Sequence, residues 1–206
     1  MKEVDADMQA ELACLGSATV SESGGRALAP GLLPVWPGAV IAAPLLPVWC
    51  ASADNLAIHL AVAASPPGVA LVVAVAGGHE RGWWGEVLTV AAQARGIVGL
   101  VIDAYVRDTV AITDRRLPVW ARGVALPGAG KVDPGRIGAS VEIRGCTVEA
   151  GDWVVADADG VVVIAGAELA RVVAAGRARV EHEAAMFDEL AAGRTTVELL
   201  GLDGAP

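Results

Sequence analysis

Between Gly85 and Asp108 the hydrophobic rhythm of the chain changes, and that change limits what it can fold into. Gly85 to Gly96 reads as a helix with a glycine start and a glycine stop, the next strand covers 98–103, and Arg107-Asp108 follow. A helix that passes into a buried strand so quickly is a unit of an α/β sheet. A strand end beside a helix start is also where such a sheet can hold a small anion, because the first helical amides lack intrahelical partners. Here those amides belong to Glu86, Val87 and Leu88. Arg107 offers a carboxylate a bidentate fork, and an oxygen of Asp108 suits Mg²⁺ or Mn²⁺. Together they suit a 2-oxo acid, with its carboxylate on the amides and arginine and its keto oxygen on the metal. The same residues also serve elsewhere as ordinary helix caps and structural ion pairs.

The chain has 206 residues, enough for one domain with a substantial core. It is 54% hydrophobic with a mean hydropathy of +0.53, so apolar surface is expected to be buried between subunits as well. The net charge of −9 repels phosphate backbones and argues against direct nucleic-acid binding. Cys14, Cys50 and Cys146 are far apart and odd in number, and read as buried, reduced residues of a cytoplasmic protein. The segment Met1 to Met8 is charged and lacks a signal-peptide core. Leu56 to Gly77 is broken by His59 and by Ser65-Pro66-Pro67-Gly68, so it predicts helix, turn and strand rather than a membrane span.

The pattern predicts a helix over 8–15, a second from Thr19 to Gly24-Gly25, and a loop over 26–38. Strands over 39–43 and 46–51 are separated by Pro44, and Asp54 is the predicted N-cap of a helix over 55–64. Strand 69–76, helix 85–95, strand 98–103, helix 108–115 and strand 118–122 follow. After a loop over 123–138, hairpins 139–148 and 153–164 precede a long helix over 167–192 stopped by Gly193. Helix–strand alternation mixed with hairpins predicts a layered α/β fold with a mixed sheet.

Other candidates are weaker. By period-two alternation Asp103 shares a face with Tyr105 and Arg107, and is expected to orient Arg107 or to sit behind it. His59 reads as a core residue of an apolar helix, His79 as a loop residue beside the site, and His182 as solvated. Trp83 and Trp84 read as core or interface packing, with a pocket wall as the alternative. There is no Gly-x-Ser-x-Gly, P-loop or Gly-x-Gly-x-x-Gly motif, and no zinc spacing.

Five segments, Trp84-Gly85-Glu86-Val87-Leu88, Arg95 to Gly99, Val101 to Asp108, Pro118 to Gly123 and Gly151 to Val163, together carry a resemblance. They resemble the RraA-like family, which includes metal-dependent 4-hydroxy-4-methyl-2-oxoglutarate aldolases and regulators of ribonuclease E activity. The resemblance covers nearly the whole chain. It implies one swivelling α/β/β/α domain over residues 1–206, in a trimer or a dimer of trimers with helix 167–192 at a subunit interface. It further implies that Arg107 binds substrate and that Asp108 holds Mg²⁺ or Mn²⁺, largely through water. The backbone of Gly85, Glu86, Val87 and Leu88 would bind the pyruvyl carboxylate. Glu181 or Glu183 of a neighbouring subunit is implied as a helper, with the choice open. The chain departs from the family pattern at Ala111, where a supporting acid is usual, at Tyr105, which adds bulk and a hydroxyl near the site and is a candidate substrate contact, and at Val73-Ala74-Val75, where an aspartate is usual.

Three readings compete. The first is a metal-dependent lyase that cleaves a 4-hydroxy-2-oxo acid or decarboxylates oxaloacetate, both through a pyruvate enolate. The second is a biosynthetic lyase or dehydratase of the same family with another substrate, motivated by Ala111 and Tyr105. The third is a non-catalytic regulator whose acidic surface masks the basic face of an RNA-processing enzyme. A methyltransferase finds no support, since no glycine-rich cofactor loop follows the first strand.

Overall fold

The computed structural model describes residues 6–202; residues 1–5, which begin the charged segment Met1 to Met8, and 203–206 lie outside it. Helix α1 (Ala6–Glu22) precedes two short strands, β1 (Arg26–Ala27) and β2 (Leu33–Pro34), and the long strand β3 (Ile41–Cys50). Next come α2 (Leu56–Ala64), β4 (Ala70–Val75), β5 (Gly82–Trp84) and α3 (Glu86–Ala94). They are followed by β6 (Gly99–Ile102), β7 (Tyr105–Val106), α4 (Thr109–Asp114), β8 (Val119–Ala121) and β9 (Gly123–Val124). Strand β10 (Arg136–Ile137) and the hairpins β11 (Val141–Ile143)–β12 (Cys146–Val148) and β13 (Trp153–Ala156)–β14 (Val161–Ile164) come after them. A 3₁₀ turn (Gly166–Glu168) leads into α5 (Leu169–Ala191), and α6 (Thr196–Leu199) is last.

The main sheet is mixed and runs β1-β14-β13-β3-β4-β6-β8-β2, with β10 also paired to β3. Its middle, β3-β4-β6-β8, is parallel, and its flanks are antiparallel. Strands β4 and β6 are apolar almost throughout and buried on both faces, as parallel strands under crossover helices must be. The hairpin β13–β14 is equally buried because it separates two cores. Val154 and Val163 face the main core, while Trp153, Val155, Val162 and Ile164 pack with Val172 and Val173 of α5 and Leu12 and Val20 of α1. A second, small parallel sheet, β5-β7-β9, hangs beyond the parallel strand ends and carries the residues discussed below. The layered α/β fold with a mixed sheet is the one expected. No helix among the described residues is long and apolar enough to cross a membrane.

Three expectations are corrected. Pro44 does not split a strand: β3 is continuous because it changes partners there, pairing with β13 up to Pro44 and with β4 from Leu45. The predicted loop over 26–38 holds two sheet-edge strands, β1 and β2, too short to leave a periodic trace. Cys14 is exposed on α1 rather than buried. Cys50 is buried as expected, and burial pushes its thiol up to about 12, so it stays protonated.

The two predicted N-terminal helices form one element broken at Gly16, whose φ of 76° and ψ of 164° only glycine tolerates. The second half is capped from far away: Asp157, in the β13–β14 turn, accepts hydrogen bonds from the amide and hydroxyl of Ser17 at 2.6 and 2.5 Å. Burial raises the Asp157 carboxyl, but these bonds and those from the Asp159 and Gly160 amides outweigh it and hold the group below the ordinary range. A depressed folded value means that stability is present above the unfolded aspartate value, about 3.9, and is lost as pH falls through the folded one. Asp157→Asn should therefore cost about 1 kcal/mol at pH 7, roughly 2–4 °C for a chain this size. Thermal unfolding from pH 3 to 7 should show that difference vanish toward pH 3; a constant difference would remove the carboxylate from the account.

Candidate active site

Helix α3 starts at Glu86 with Gly85 as its N-cap, directly after the fully buried strand β5, and buries Leu88, Thr89 and Ala92 on one face. It ends at Gly96, whose φ of 73° sits in the left-handed region that closes helices. Strand β7 pairs parallel to β5, which brings Arg107 and Asp108 directly beside this helix start. The Arg107 amide donates to the Trp84 carbonyl at 2.8 Å and locks that register. Asp108 is the N-cap of α4 and takes a left-handed backbone, φ 57° and ψ 39°, which aspartate accepts more readily than most residues.

The Asp108 carboxylate reaches across to α3. Its Oδ2 accepts the Glu86 amide at 3.0 Å and lies 3.8 Å from the Arg107 Nε. One of the three orphan amides is thus capped by a side chain from elsewhere in the fold, leaving those of Val87 and Leu88 at the mouth of the helix. This contact also gives a concrete reason for glycine at 85. A Cβ there would stand 2.4 Å from the Asp108 Oδ2 and 3.2 Å from the Arg107 Cγ. The space left by the missing side chain is filled by the aspartate. The Glu86 carboxylate is held away by Arg115, at 2.7 Å, which ties the start of α3 to the end of α4.

These groups line one wall of a recess of about 170 Å³, roughly six waters' worth of liquid volume. The start of α2 and the loop before β10 complete the lining. Asp54 organises it: its Oδ1 accepts the Leu56 amide at 3.0 Å and its Oδ2 the Val132 amide at 2.7 Å. Gly130 bonds through its carbonyl to the Asn55 amide and through its amide to the Ala53 carbonyl, at 2.9 and 2.7 Å. Burial raises the Asp54 carboxyl, but its backbone hydrogen bonds win and hold it low. The clamped loop delivers Lys131 to the recess, and α2 contributes Asn55 and His59.

The residues read from the sequence therefore divide. Gly85, Val87, Leu88, Arg107 and Asp108 line one recess, with the Glu86 amide bound to Asp108. Tyr105 does not join them; it lines a separate, more open recess of about 510 Å³ with His79, Arg81 and Arg122. The break at Asp103–Ala104, where the chain leaves the main sheet after β6 and enters the small sheet as β7, undoes the simple alternation that aligned it with Arg107. Asp103 does not orient Arg107 either. It binds the Arg122 Nε and Nη2 at 2.8 and 2.9 Å and the Arg144 Nη1 at 2.9 Å. Burial raises this carboxyl, and the two arginines more than reverse the effect. Asp103 and His79 are themselves joined, the ring Nδ1 lying 2.9 Å from the Asp103 carbonyl oxygen. Glu181 and Glu183 lie on α5, which packs on α1, and neither lines the recess within this chain; Glu183 pairs with Arg179 at 2.8 Å. Trp83 and Trp84 are core residues, although Trp83 also touches the recess.

His59 is the clearest correction: it is half-buried on the recess wall, not a satisfied core residue. Desolvation, and then the charge of Lys131, lowers its affinity for a proton. Asn55 and Lys131 escaped the sequence reading as well. The trace they leave is short: Asn55 and His59 are spaced i, i+4, and His59 is the one polar side chain in the run Leu56–Ala64.

The chain matches the RraA-like family, described as Aldolase/RraA, over residues 7–163. A Halalkalibacterium halodurans protein carrying the name "Putative 4-hydroxy-4-methyl-2-oxoglutarate aldolase" is 34% identical over 114 residues, 55% of this chain and 54% of that protein. A Shewanella oneidensis protein of the same name is 29% identical over 110 residues, 53% of this chain and 67% of its own length. The chain thus spans little more than half the length of the first of these relatives. Among solved structures, a protein from Pseudomonas syringae pv. tomato superposes with a TM-score of 0.84 at 26% identity, covering 94% of this chain and 92% of that one. Streptomyces coelicolor RraAS2, described as an unusual member of the RNase ES inhibitor RraA protein family, superposes at 0.76 with 24% identity, over 94% and 100%. That second likeness shows the shared fold. Matched along most of its length and folded like its solved relatives, the chain belongs to the RraA-like family.

Proposed function

We propose that the recess is the active site of a divalent-metal-dependent lyase acting on a 2-oxo acid. Its reaction would be retro-aldol cleavage of a 4-hydroxy-2-oxo acid, decarboxylation of oxaloacetate, or both, through a pyruvate enolate. The observation that carries the reading is the meeting of a helix N-terminus, an arginine and a carboxylate in one recess of small-molecule size. The Val87 and Leu88 amides and Arg107 would bind the substrate carboxylate, and the α3 dipole would favour the negative charge. The names of the Halalkalibacterium and Shewanella relatives support an aldolase-type reaction.

The donor set fits a hydrated hard cation. Among the described residues Asp108 is the only carboxylate lining the recess, and its Oδ1 is not taken by the Glu86 amide. Among the described residues no three His, Cys, Asp or Glu side chains gather in one place, which suits Mg²⁺ or Mn²⁺ keeping most of their waters better than zinc. Such an ion would supply Lewis acidity at the keto oxygen.

A homo-oligomer belongs to the same reading. Val87, Val110, Leu126 and Val132 are large apolar side chains exposed by 74% or more, and a neighbouring subunit would cover them. Glu181 or Glu183 of that neighbour is the candidate acid in place of Ala111.

Pyruvate release from 4-hydroxy-4-methyl-2-oxoglutarate and from oxaloacetate, with Mg²⁺, Mn²⁺ or EDTA, tests the proposal. Turnover above the metal-only background and sensitive to EDTA is the expected result. A folded protein that releases none would transfer the assignment to a family enzyme with another substrate, or to a regulator of RNA processing.

A further inference from the structure

Two groups that α2 brings to the recess have no assigned role, and both call for a ligand. Asn55 is 4% exposed, and its Nδ2 is fixed on the Trp83 carbonyl at 2.8 Å. Its Oδ1 is the one buried side-chain polar atom without a hydrogen-bond partner among the described residues. A buried acceptor left unpaired is costly, so a molecule filling the recess is expected to bring a donor to it. One helical turn further on, on the same face of α2, the His59 ring makes no hydrogen bond among the described residues.

A 4-hydroxy-2-oxo acid carries such a donor in its C4 hydroxyl, and cleavage must remove that proton. We propose that Asn55 receives this hydroxyl and that His59 is the residue that moves its proton, an inference that rests on the lyase reading above. In the bound substrate the hydroxyl donates to the Asn55 Oδ1; rotation about the C4–O bond then turns its proton to His59, which takes it as the C3–C4 bond breaks and its electron pair forms the C2–C3 double bond of an enolate. C4 becomes the carbonyl of the second product. His59 then returns the proton to C3, giving the methyl group of pyruvate, so protons and electrons balance without a further reactant. Asn55 is a positioning residue in this scheme.

The surroundings favour a neutral ring ready to accept a proton. Lys131 sets a positive charge beside it from the clamped loop, and Arg107 and Asp108 line the same recess. Of the other charged groups on segments packed against α2, Asp133 accepts the Gly135 amide at 2.8 Å and Arg95, the C-cap of α3, is not part of the recess lining. Asp54 accepts backbone amides, Glu86 pairs with Arg115, and Arg136 stacks 4.5 Å above the Trp49 ring.

The test compares the full-length protein with His59→Gln and Asn55→Ala, loaded with Mn²⁺. Three quantities are read: kcat for cleavage of 4-hydroxy-4-methyl-2-oxoglutarate, exchange of the pyruvate methyl protons in D₂O by NMR, and the Kd of oxalate, an enolate mimic. His59→Gln should lose about 100-fold or more in both cleavage and exchange. Its oxalate Kd should stay within about threefold, because proton transfer is not part of that binding. The wild-type rate should fall on the acid side of pH 6.5, and that limb should be missing from the variant's residual rate. Asn55→Ala should raise KM for the hydroxylated substrate about tenfold and leave oxalate binding alone. An active wild type with no acid limb, or a His59→Gln protein with unchanged kcat and exchange, overturns this inference and leaves the lyase reading standing. A wild type that neither cleaves nor exchanges overturns both. The wild-type pH profile decides the matter even if a variant fails to fold.

Discussion

Asp108→Asn should abolish metal-dependent turnover while the protein stays folded. The two side chains have the same shape, and asparagine, like aspartate, accepts the left-handed backbone that this position requires. Its amide oxygen can still accept the Glu86 amide, so the junction of α3 and α4 keeps its cap. What disappears is the negative charge, and with it the one carboxylate that the described residues bring to the recess. Lewis-acid stabilisation of an enolate is worth several kcal/mol, so about a thousandfold or greater loss of kcat is expected. The unfolding midpoint should move by no more than a few degrees, since the group is half-exposed. Pyruvate release and Mn²⁺ binding, measured with thermal unfolding on the same samples, check this. Full activity in Asp108→Asn would remove the carboxylate from the mechanism and the metal from the recess.

The parts of this site that could be read in the sequence are those made within one stretch of chain. Gly85 to Asp108 encodes its own helix start, helix stop and strand, and the parallel pairing of β5 with β7 closes the loop on itself. The hairpin at Asp157 to Gly160 was equally plain, because its turn residues are local. The lining from α2 and the loop before β10 was not legible, for the opposite reason. Lys131 reaches the recess only because Asp54, 78 residues upstream of Val132, clamps the loop. Within α2, an apolar run around His59 looks the same whether the ring meets the core or a recess. Asp103 failed in a third way. Alternation along a strand predicts which face a side chain takes, but not that Arg122 and Arg144 wait there to bind it. Partner switching explains the misread prolines: a residue without an N–H group is tolerated where β3 changes neighbours, and nothing in Pro44 itself announces that.

Arg107→Ala should weaken 2-oxo acid binding without loss of fold or metal. The side chain leaves the end of β7 half-exposed, and its backbone amide, not its guanidinium, makes the 2.8 Å bond to Trp84 that sets the register of the small sheet. Among the described residues the guanidinium has only loose partners, the Leu126 carbonyl at 3.5 Å and Asp108 at 3.8 Å. Such contacts add little to stability at a solvated surface, so the fold does not explain why an arginine stands there. A group held at the recess with its hydrogen-bonding capacity largely unspent is suited to a carboxylate that arrives with the ligand. A charge-assisted bidentate pair is worth about 1.5–3 kcal/mol, so the Kd of oxalate or pyruvate should rise roughly 10- to 100-fold. Arg107→Lys should recover only part of this, because an ammonium carries the charge but not the fork. Calorimetric titration of oxalate into the Mn²⁺-loaded variants measures the ratio. Unchanged affinity in Arg107→Ala would mean that the carboxylate is held by the Val87 and Leu88 amides alone, and that Arg107 serves the neighbouring subunit or the surface instead.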